Sequence, residues 1–289
     1  MNTTNRPNSN SYEHPGHLFL SRYGLPKSKS DVVAYAQFLL EESGFEDELP
    51  IKLSRIYERF RIPEPLRVPL LEQQGILVDS STGVIVINEN DPAMRQRFTE
   101  AHELIELLFA AVEEQNSAHL IPCHMWEKKE QFCDYGAAEL LMPGLRFCSW
   151  LQELGISINT AQVLTTLYET SFLATLIRMV QMSHTDCALV LWRCGFKPSQ
   201  LKKVSDAPLK CEPKLRISWA SQSESWCGGY LPPHKSIPHQ SIVGCAYVTG
   251  ERFQGAEVIS LGARSIYCQV EATPLKLGDE SCVISLLHL

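Results

Sequence analysis

The sequence predicts an α+β protein built from more than one domain. Helical spacing of apolar residues fills most of the chain up to residue 182, interrupted near residue 80 by two short β-branched segments. Alternating, β-rich segments follow from Cys187 to the end of the chain. The 289 residues exceed what most single cores hold, so two or three domains are expected. Helices and strands that occupy different parts of a chain are typical of the α+β class.

The overall charge limits the classes of partner. Hydrophobic residues make up 44% and charged residues 20% of the chain, and the formal net charge is -7. A protein that binds DNA mainly through its phosphates is normally basic, so we do not expect direct DNA binding. No apolar run approaches the ~20 residues that a membrane-spanning helix needs, so no membrane association is expected either.

The first fifteen residues are polar and rich in Asn, Ser, Thr and Pro. They lack the apolar segment of a secretory signal, so we predict a disordered leader over residues 1–29 and a cytoplasmic location. The ten cysteines form no C-x-x-C pair and are scattered through apolar segments. In a chain without an export signal, they are expected to be reduced thiols packed as small hydrophobic residues.

The first predicted domain, residues 30–145, begins with two helices and a β-hairpin. Apolar residues recur at helical spacing from Ser30 to Glu42 and from Pro50 to Phe60. The segments GILVD (75–79) and GVIVIN (83–88) are β-branched runs separated by turn-forming residues. This pattern predicts an antiparallel hairpin.

The next predicted helix, from about Ala93 to Glu113, carries the residues that could bind a metal ion and take part in catalysis. It contains the run His102-Glu103-Leu104-Ile105-Glu106. Residues four apart share one helical face, so His102 and Glu106 can both point at one ion, and Glu103 can reach a water molecule bound to it. The arrangement follows the H-E-x-x-H motif of zinc peptidases, with Glu in place of the second His. Glutamate is itself a metal ligand.

A helical segment of a different kind follows. After a helix predicted from about Glu127 to Pro143, three short helices are expected at residues 145–154, 160–168 and 171–182. Their spacing imitates a helix-turn-helix, and we assign residues 146–184 to them. The third helix offers Arg178 as its one cation for reading a base or phosphate, so we favour a structural linker over a DNA reader.

The C-terminal domain is predicted over residues 185–289 as antiparallel and β-rich. Gly, Pro and Ser separate its alternating segments. The segments expected to form strands lie at residues 187–195, 214–221, 241–250, 257–262, 265–275 and 281–289.

The sequence around the H-E-x-x-E run closely resembles the ImmA/IrrE family of metallopeptidases. The similarity rests on RQRFT-x-AHEL, on VIVIN before it, and on E-x-x-C-D-x-G-A-A-E-L-L-M-P after it, and it covers about residues 30–145. Within the family the chain looks closest to the IrrE/PprI radiation-resistance regulators. The resemblance implies a zincin-like domain with a small sheet and an active-site helix, a helix-turn-helix-like linker and a C-terminal GAF-like domain.

The resemblance also implies roles for individual residues. His102, Glu106 and Glu130 correspond to the metal ligands, and Glu103 corresponds to the general base. The family has His at the position of Glu106, so this chain would surround its ion with one His and two Glu. A divalent metal is implied, zinc first. Manganese is the alternative, because a second carboxylate makes the ligand set harder in the chemical sense, and hard oxygen ligands favour manganese. His119 and His124, in the intervening loop, are alternative ligands.

Three functions follow from these expectations. The first is a metal-dependent endopeptidase that cleaves a helix-turn-helix transcriptional repressor in a stress or DNA-damage response. The second is a catalytically silent member that binds a protein or ligand, for example a small ligand near Trp219, Trp226 and Tyr230 of the C-terminal domain. The third, a DNA-binding regulator, is disfavoured by charge. In the peptidase interpretation, Val84–Asn88 would form the sheet edge to which a substrate strand adds.

Overall fold

The computed structural model describes residues 11–45, 48–201, 212–261 and 264–289, which contacts divide into two units. The first unit comprises Met1–Arg146 and Leu164–Ser171, and the second comprises Phe147–Val163 and Phe172–Leu289. Helices and small sheets alternate along the chain, which confirms the mixed α+β class.

The helices of the first unit surround one long central helix. In chain order they are α1 (Pro15–Tyr23), α2 (Lys29–Glu42), α3 (Ser54–Phe60), α4 (Ala93–Glu114), a 3₁₀ turn (Ala118–Leu120), α5 (Cys123–Glu127) and α6 (Lys129–Leu141). The helix expected from near Glu127 to before Pro143 is present as α6, and the short α5 precedes it.

The predicted disordered leader is wrong in its second half. Pro15–Tyr23 forms α1, which Pro15 begins at its first helical position. Phe19 and Leu20 are buried in the core of this unit. The two apolar side chains were too few for the sequence pattern to show a helix, but they stabilise it through packing against the rest of the domain. The leader's first ten residues lie outside the described part of the chain.

The small sheet of the first unit contains the predicted hairpin and a third strand. Its strands are β1 (Leu66–Val68), β2 (Gly75–Asp79) and β3 (Val84–Asn88), in the order β1-β3-β2. β2 pairs with β3 antiparallel, as predicted, and β1 pairs with β3 in parallel. β3 is therefore the central strand and not an edge. The three-residue β1 is exposed throughout and carries no alternation that sequence reasoning could have used.

The core of this unit forms around α4. Leu104, Ile105 and Leu108 of this helix are fully buried. Gly136 lets α6 approach closely, because a Cβ atom there would lie 2.8 Å from Cγ2 of Ile105 and 2.9 Å from Cγ1 of Val32. This close packing fixes the position of α6 relative to α4, and both helices contribute side chains to the candidate site.

The three short helices predicted after residue 144 are present. They are α7 (Gly144–Leu154), α8 (Ile158–Tyr168) and α9 (Phe172–Met182). Arg178, the cation that α9 offered for DNA contact, is 1% exposed. A buried guanidinium cannot read a base or a phosphate on the surface, which favours the structural interpretation of this segment.

The second unit contains an antiparallel sheet with a helix against it. Its strands, β4 (Cys187–Gly195), β5 (Lys214–Gln222), β6 (Phe253–Ser260), β7 (Ser265–Leu277) and β8 (Glu280–His288), follow the order β5-β4-β8-β7-β6. Two further helices are α10 (Pro198–Leu201) and α11 (Ile242–Thr249). Trp192, at the centre of β4, is buried and donates a hydrogen bond from Nε1 to Ser285 Oγ at 2.8 Å.

One predicted strand of this unit is a helix. Residues 241–250 form α11 with its two caps, although Ile, Val and Tyr favour strands. The Ser241 hydroxyl accepts a hydrogen bond from the Gly244 N–H, and Gly250 ends the helix at φ 72°. These end signals and packing against the sheet outweigh the β-propensity of the segment.

The helices differ in length and apolar content, the two properties that a membrane span requires. Within the described residues no single helix has the length and apolar content to cross a membrane, and only α8 and α9 taken together, as a bent pair, pass on those two measures.

Candidate metal centre

A cavity of about 430 Å³ in the first unit lies among α4, α6 and β2. Its acidic and imidazole side chains come from both helices. They are His102, Glu103 and Glu106 from α4, and Glu130 and Asp134 from α6.

The long helix brings three potential ligands together. One ligand atom from each of His102, Glu103 and Glu106 lies within 4.8 Å of the others. His102 and Glu106 occupy the same face one turn apart, as their spacing predicted. The structure thus places these side chains at one point, while their role as metal ligands stays a prediction.

The second helix supplies two carboxylates to the same imidazole. Glu130 Oε2 lies 3.5 Å from His102 Nε2, and the Glu130 side chain is 76% exposed. Asp134 Oδ1 lies 2.9 Å from His102 Nδ1. A carboxylate that accepts from one nitrogen of a histidine ring orients the other nitrogen toward a metal. Sequence reasoning missed Asp134, although it follows Glu130 by four residues and so shares its helical face.

The protonation of His102 reflects these neighbours. Burial alone would lower the pKa of this imidazole, but the hydrogen bond that its ring donates to Asp134 and the nearby carboxylates of Glu103 and Glu130 raise it overall. The ring is therefore held in a strongly negative surrounding that also suits a cation.

Glu106 has a partner that the sequence did not indicate. Lys129 Nζ lies 2.5 Å from Glu106 Oε1, and both side chains are about one-fifth exposed. Burial alone would lower the pKa of Lys129, but the pair with Glu106 raises it overall. One oxygen of the unusual carboxylate is thus occupied by an ammonium group, while the other remains for an ion.

Glu103 is the most buried carboxylate of the cluster, at 5% exposure. Its Oε2 atom has no hydrogen-bond partner among the described groups. Burial and the Glu106 carboxylate raise its pKa to about 7, although a hydrogen bond from the Leu77 backbone opposes the rise. A carboxylate with a pKa near neutrality can both accept and release a proton.

The close approach of β2 to α4 depends on a glycine. A Cβ atom at Gly75 would lie 2.4 Å from Thr99 Cγ2 and 3.1 Å from Glu103 Oε1. Only a residue without a side chain lets the edge strand lie directly over the acidic helix. Gly75 therefore fixes the distance between the strand and Glu103.

Gly75→Ala is expected to lower the free energy of unfolding by about 1–3 kcal/mol, since overpacking forces neighbouring groups to shift. Urea denaturation measures the change. Gly195→Ala is the matched control, because no heavy atom lies within 4 Å of a Cβ atom built there. Equal midpoints for Gly75→Ala and the unmodified protein would contradict the close approach.

The alternative histidines lie elsewhere. His119 and His124 are exposed and are not among the residues that line this cavity. The hypothesis that one of them replaces Glu106 as a ligand therefore has no support from the geometry.

The donor set fits a divalent ion. One imidazole nitrogen and the carboxylates of Glu106 and Glu130 provide the nitrogen and oxygen ligands that zinc and manganese accept. Glu103 also lines the same cavity. The fold and this cluster together belong to the class of α+β domains that carry a candidate metal site.

The comparisons with known proteins agree with that class. Residues 66–179 match the family model described as the IrrE N-terminal-like domain, so this part of the chain is similar to that peptidase family. No curated protein matches the chain significantly. Among solved structures, a Mycobacterium tuberculosis transcriptional regulator is similar with a TM-score of 0.54 and 15% identity, over 94% of this chain and 92% of that one. At this identity the likeness shows a shared fold.

Proposed function

We propose that this protein is a metal-dependent endopeptidase that cleaves a helix-turn-helix transcriptional repressor in a stress or DNA-damage response. The observation that carries the proposal is the convergence of His102, Glu103 and Glu106 in one cavity, with Glu130 beside them. The family match supports a peptidase, and the family resemblance supplies the class of substrate. The substrate class in turn places the reaction in the cytoplasm.

The proposed roles divide between holding an ion and moving a proton. His102, Glu106 and Glu130 would hold the divalent ion, zinc first, and Asp134 would orient His102. Such an ion, when bound, increases the acidity of a coordinated water and polarises a carbonyl group. Glu103 accepts the proton of the attacking water at Oε2 and donates it to the departing amine nitrogen.

The edge strand supports a peptide substrate. Among the described residues β2 pairs on one side only, with β3, and its residues Gly75, Ile76 and Leu77 line the cavity. An extended peptide can add to such an edge through backbone hydrogen bonds. Because Gly75 keeps β2 next to Glu103, a peptide bound there would present its backbone to the general base.

The experiment pairs elemental analysis with a cleavage assay on helix-turn-helix repressors from the same genome. We expect a bound divalent ion and cleavage of a repressor, and we expect His102→Ala to lose cleavage and to hold one ion fewer than the unmodified chain. His119→Ala, which changes an exposed histidine outside the cavity, should lose neither. Cleavage that persists in His102→Ala would contradict the proposed site.

The second candidate is a catalytically silent member that regulates by binding. The Lys129–Glu106 pair favours it, because an ammonium group at 2.5 Å competes with a metal ion for that carboxylate. A purified protein that holds no ion at this site, and that binds a repressor without cutting it, would establish this candidate over the peptidase.

The C-terminal unit is proposed as a GAF-like sensor of a small ligand. Its sheet and packed helix support this assignment, but its aromatic residues do not mark the pocket as expected. A cavity of about 520 Å³ in this unit is lined by other residues, including Lys197, Lys235 and Leu261. Trp226 instead donates a hydrogen bond to the Gly229 carbonyl, and Tyr230 is 70% exposed.

A further inference from the structure

A second group of metal-ligating side chains lies in the first unit, outside the cavity described above. It consists of His14 and His17, at the start of α1, and Glu114, at the end of α4. One ligand atom from each lies within 4.8 Å of the others. The His17 Nε2 and Glu114 Oε2 atoms are 2.7 Å apart, and the two imidazole rings meet edge to face with centroids 4.5 Å apart.

The backbone holds these three residues in place. His14 is the N-cap of α1, and His17 follows one turn later. Gly16 brings the helix against α4, since a Cβ atom there would lie 2.3 Å from the Leu107 carbonyl oxygen and 2.8 Å from Cβ of Ala111. The first turn of α1 therefore cannot move away from α4 without loss of this packing.

One atom of the cluster lacks a partner. His14 Nε2 is buried and makes no hydrogen bond to any group in the described part of the chain. A buried polar atom without a partner is destabilising unless a ligand or ion satisfies it.

The surrounding groups suit a bound cation. Ser80 Oγ donates a hydrogen bond to Glu114 Oε1, which leaves Oε2 directed at the histidines. Gln115 Nε2 lies 3.2 Å from His17 Nδ1; with an ion at His17 Nε2 the ring proton would lie on Nδ1, and the Gln115 amide would turn to accept it through its oxygen. An ion at His14 Nε2 would place the ring proton on Nδ1 and give up the 3.3 Å cap hydrogen bond from the His17 N–H. An ion at His17 Nε2 would also replace the 2.7 Å hydrogen bond between that nitrogen and Glu114 Oε2, so metal binding exchanges existing hydrogen bonds for coordinate bonds.

We propose that His14, His17 and Glu114 form a second divalent-metal site, suited to zinc, that fastens α1 to the end of α4. Two imidazoles and one carboxylate are common zinc ligands, and water would complete a tetrahedral arrangement. Formal charge at the ion would be +1, because imidazoles bind metals in their neutral form and Glu114 contributes one negative charge. The site is structural, since it joins two elements of the core and lies apart from the proposed catalytic cavity.

The test uses the full chain with His102→Ala, so that the proposed catalytic centre does not contribute. Calorimetric titration with Zn²⁺ should show one bound ion, and the thermal midpoint should rise with Zn²⁺ because the ion binds the folded state. Adding His17→Gln should abolish both the binding and the rise. A His102→Ala protein that binds no Zn²⁺, or a His17→Gln change that leaves binding intact, would overturn the site.

Two further variants separate metal loss from helix loss. His14→Asn should also abolish Zn²⁺ binding, but asparagine can still cap α1, so the midpoint without metal should change little. His119→Ala, at an exposed histidine in the 3₁₀ turn, should bind Zn²⁺ as before. Loss of Zn²⁺ binding in His119→Ala would show that the ion sits elsewhere. Because His102 is absent throughout, the result does not depend on whether the protein is a peptidase.

Discussion

Glu103→Gln is expected to reduce cleavage by about 10²–10⁴-fold, the usual contribution of a general base. The amide is nearly isosteric with the carboxylate but cannot accept a proton from water. Glu103 is not one of the three proposed ligands, so metal content should be unchanged. Initial rates on the repressor substrate, measured beside elemental analysis of each preparation, give the result.

The matched control is Glu113→Gln. Glu113 lies on the same helix but is exposed, so its replacement tests for a general effect of losing one negative charge from α4. It should cleave at the unmodified rate. If Glu103→Gln also cleaves at that rate while it retains its ion, Glu103 is not the general base.

Much of this site was predictable because a helix converts sequence spacing into geometry. The i, i+4 relation of His102 and Glu106 holds in any regular helix, and the apolar spacing of residues 93–113 predicted that helix closely. The hairpin of β2 and β3 followed from two β-branched runs around a turn, with no knowledge of the rest of the fold.

The order of strands in the small sheet was not predictable in the same way. β1 has three exposed residues and pairs in parallel with β3, so it left no periodic signal. Without β1, the pattern gave no reason to prefer β2 over Val84–Asn88 as the edge beside the cavity. The choice depends on a long-range contact, the approach of Gly75 to Thr99 and Glu103, which no local pattern encodes.

The Lys129–Glu106 pair is a second long-range contact that the sequence pattern did not predict. The two residues are 23 positions apart and come from different helices. From the sequence, one His and two Glu around a divalent ion give a formal charge of 0, against +1 for the two-His, one-Glu set of the family. Lys129 adds one positive charge beside Glu106 and returns the total to +1. The ion pair thus carries the same formal charge as the neutral imidazole that it replaces.

This charge balance leads to the last prediction, for Glu106→His. The substitution should raise zinc affinity, because imidazole suits zinc better than a second carboxylate does. It also leaves the Lys129 ammonium group without its partner and close to the ion, which opposes the gain. We therefore expect a modest rise in zinc affinity for Glu106→His. When Lys129→Met is added, we expect a larger rise of roughly 10–100-fold, the size of effect that residues next to metal ligands usually have.

Calorimetric zinc titrations measure these affinities. All four proteins carry His17→Gln, which removes the second proposed site: the first has no other change, and the others add Glu106→His, Lys129→Met or both. Lys129→Met alone should also raise affinity, since it releases Glu106 Oε1 from the 2.5 Å ion pair. Lys27→Met, at a lysine outside the cavity, is the control and should change nothing. Equal affinity in all four proteins would mean that neither Glu106 nor Lys129 faces the ion.

If affinity rises as expected and a cleavage assay on the same samples shows faster turnover with zinc, the Glu106–Lys129 pair lowers the activity of an otherwise competent peptidase site. Tighter zinc binding without any turnover would instead establish that the pair belongs to a regulatory protein whose catalytic function has been lost.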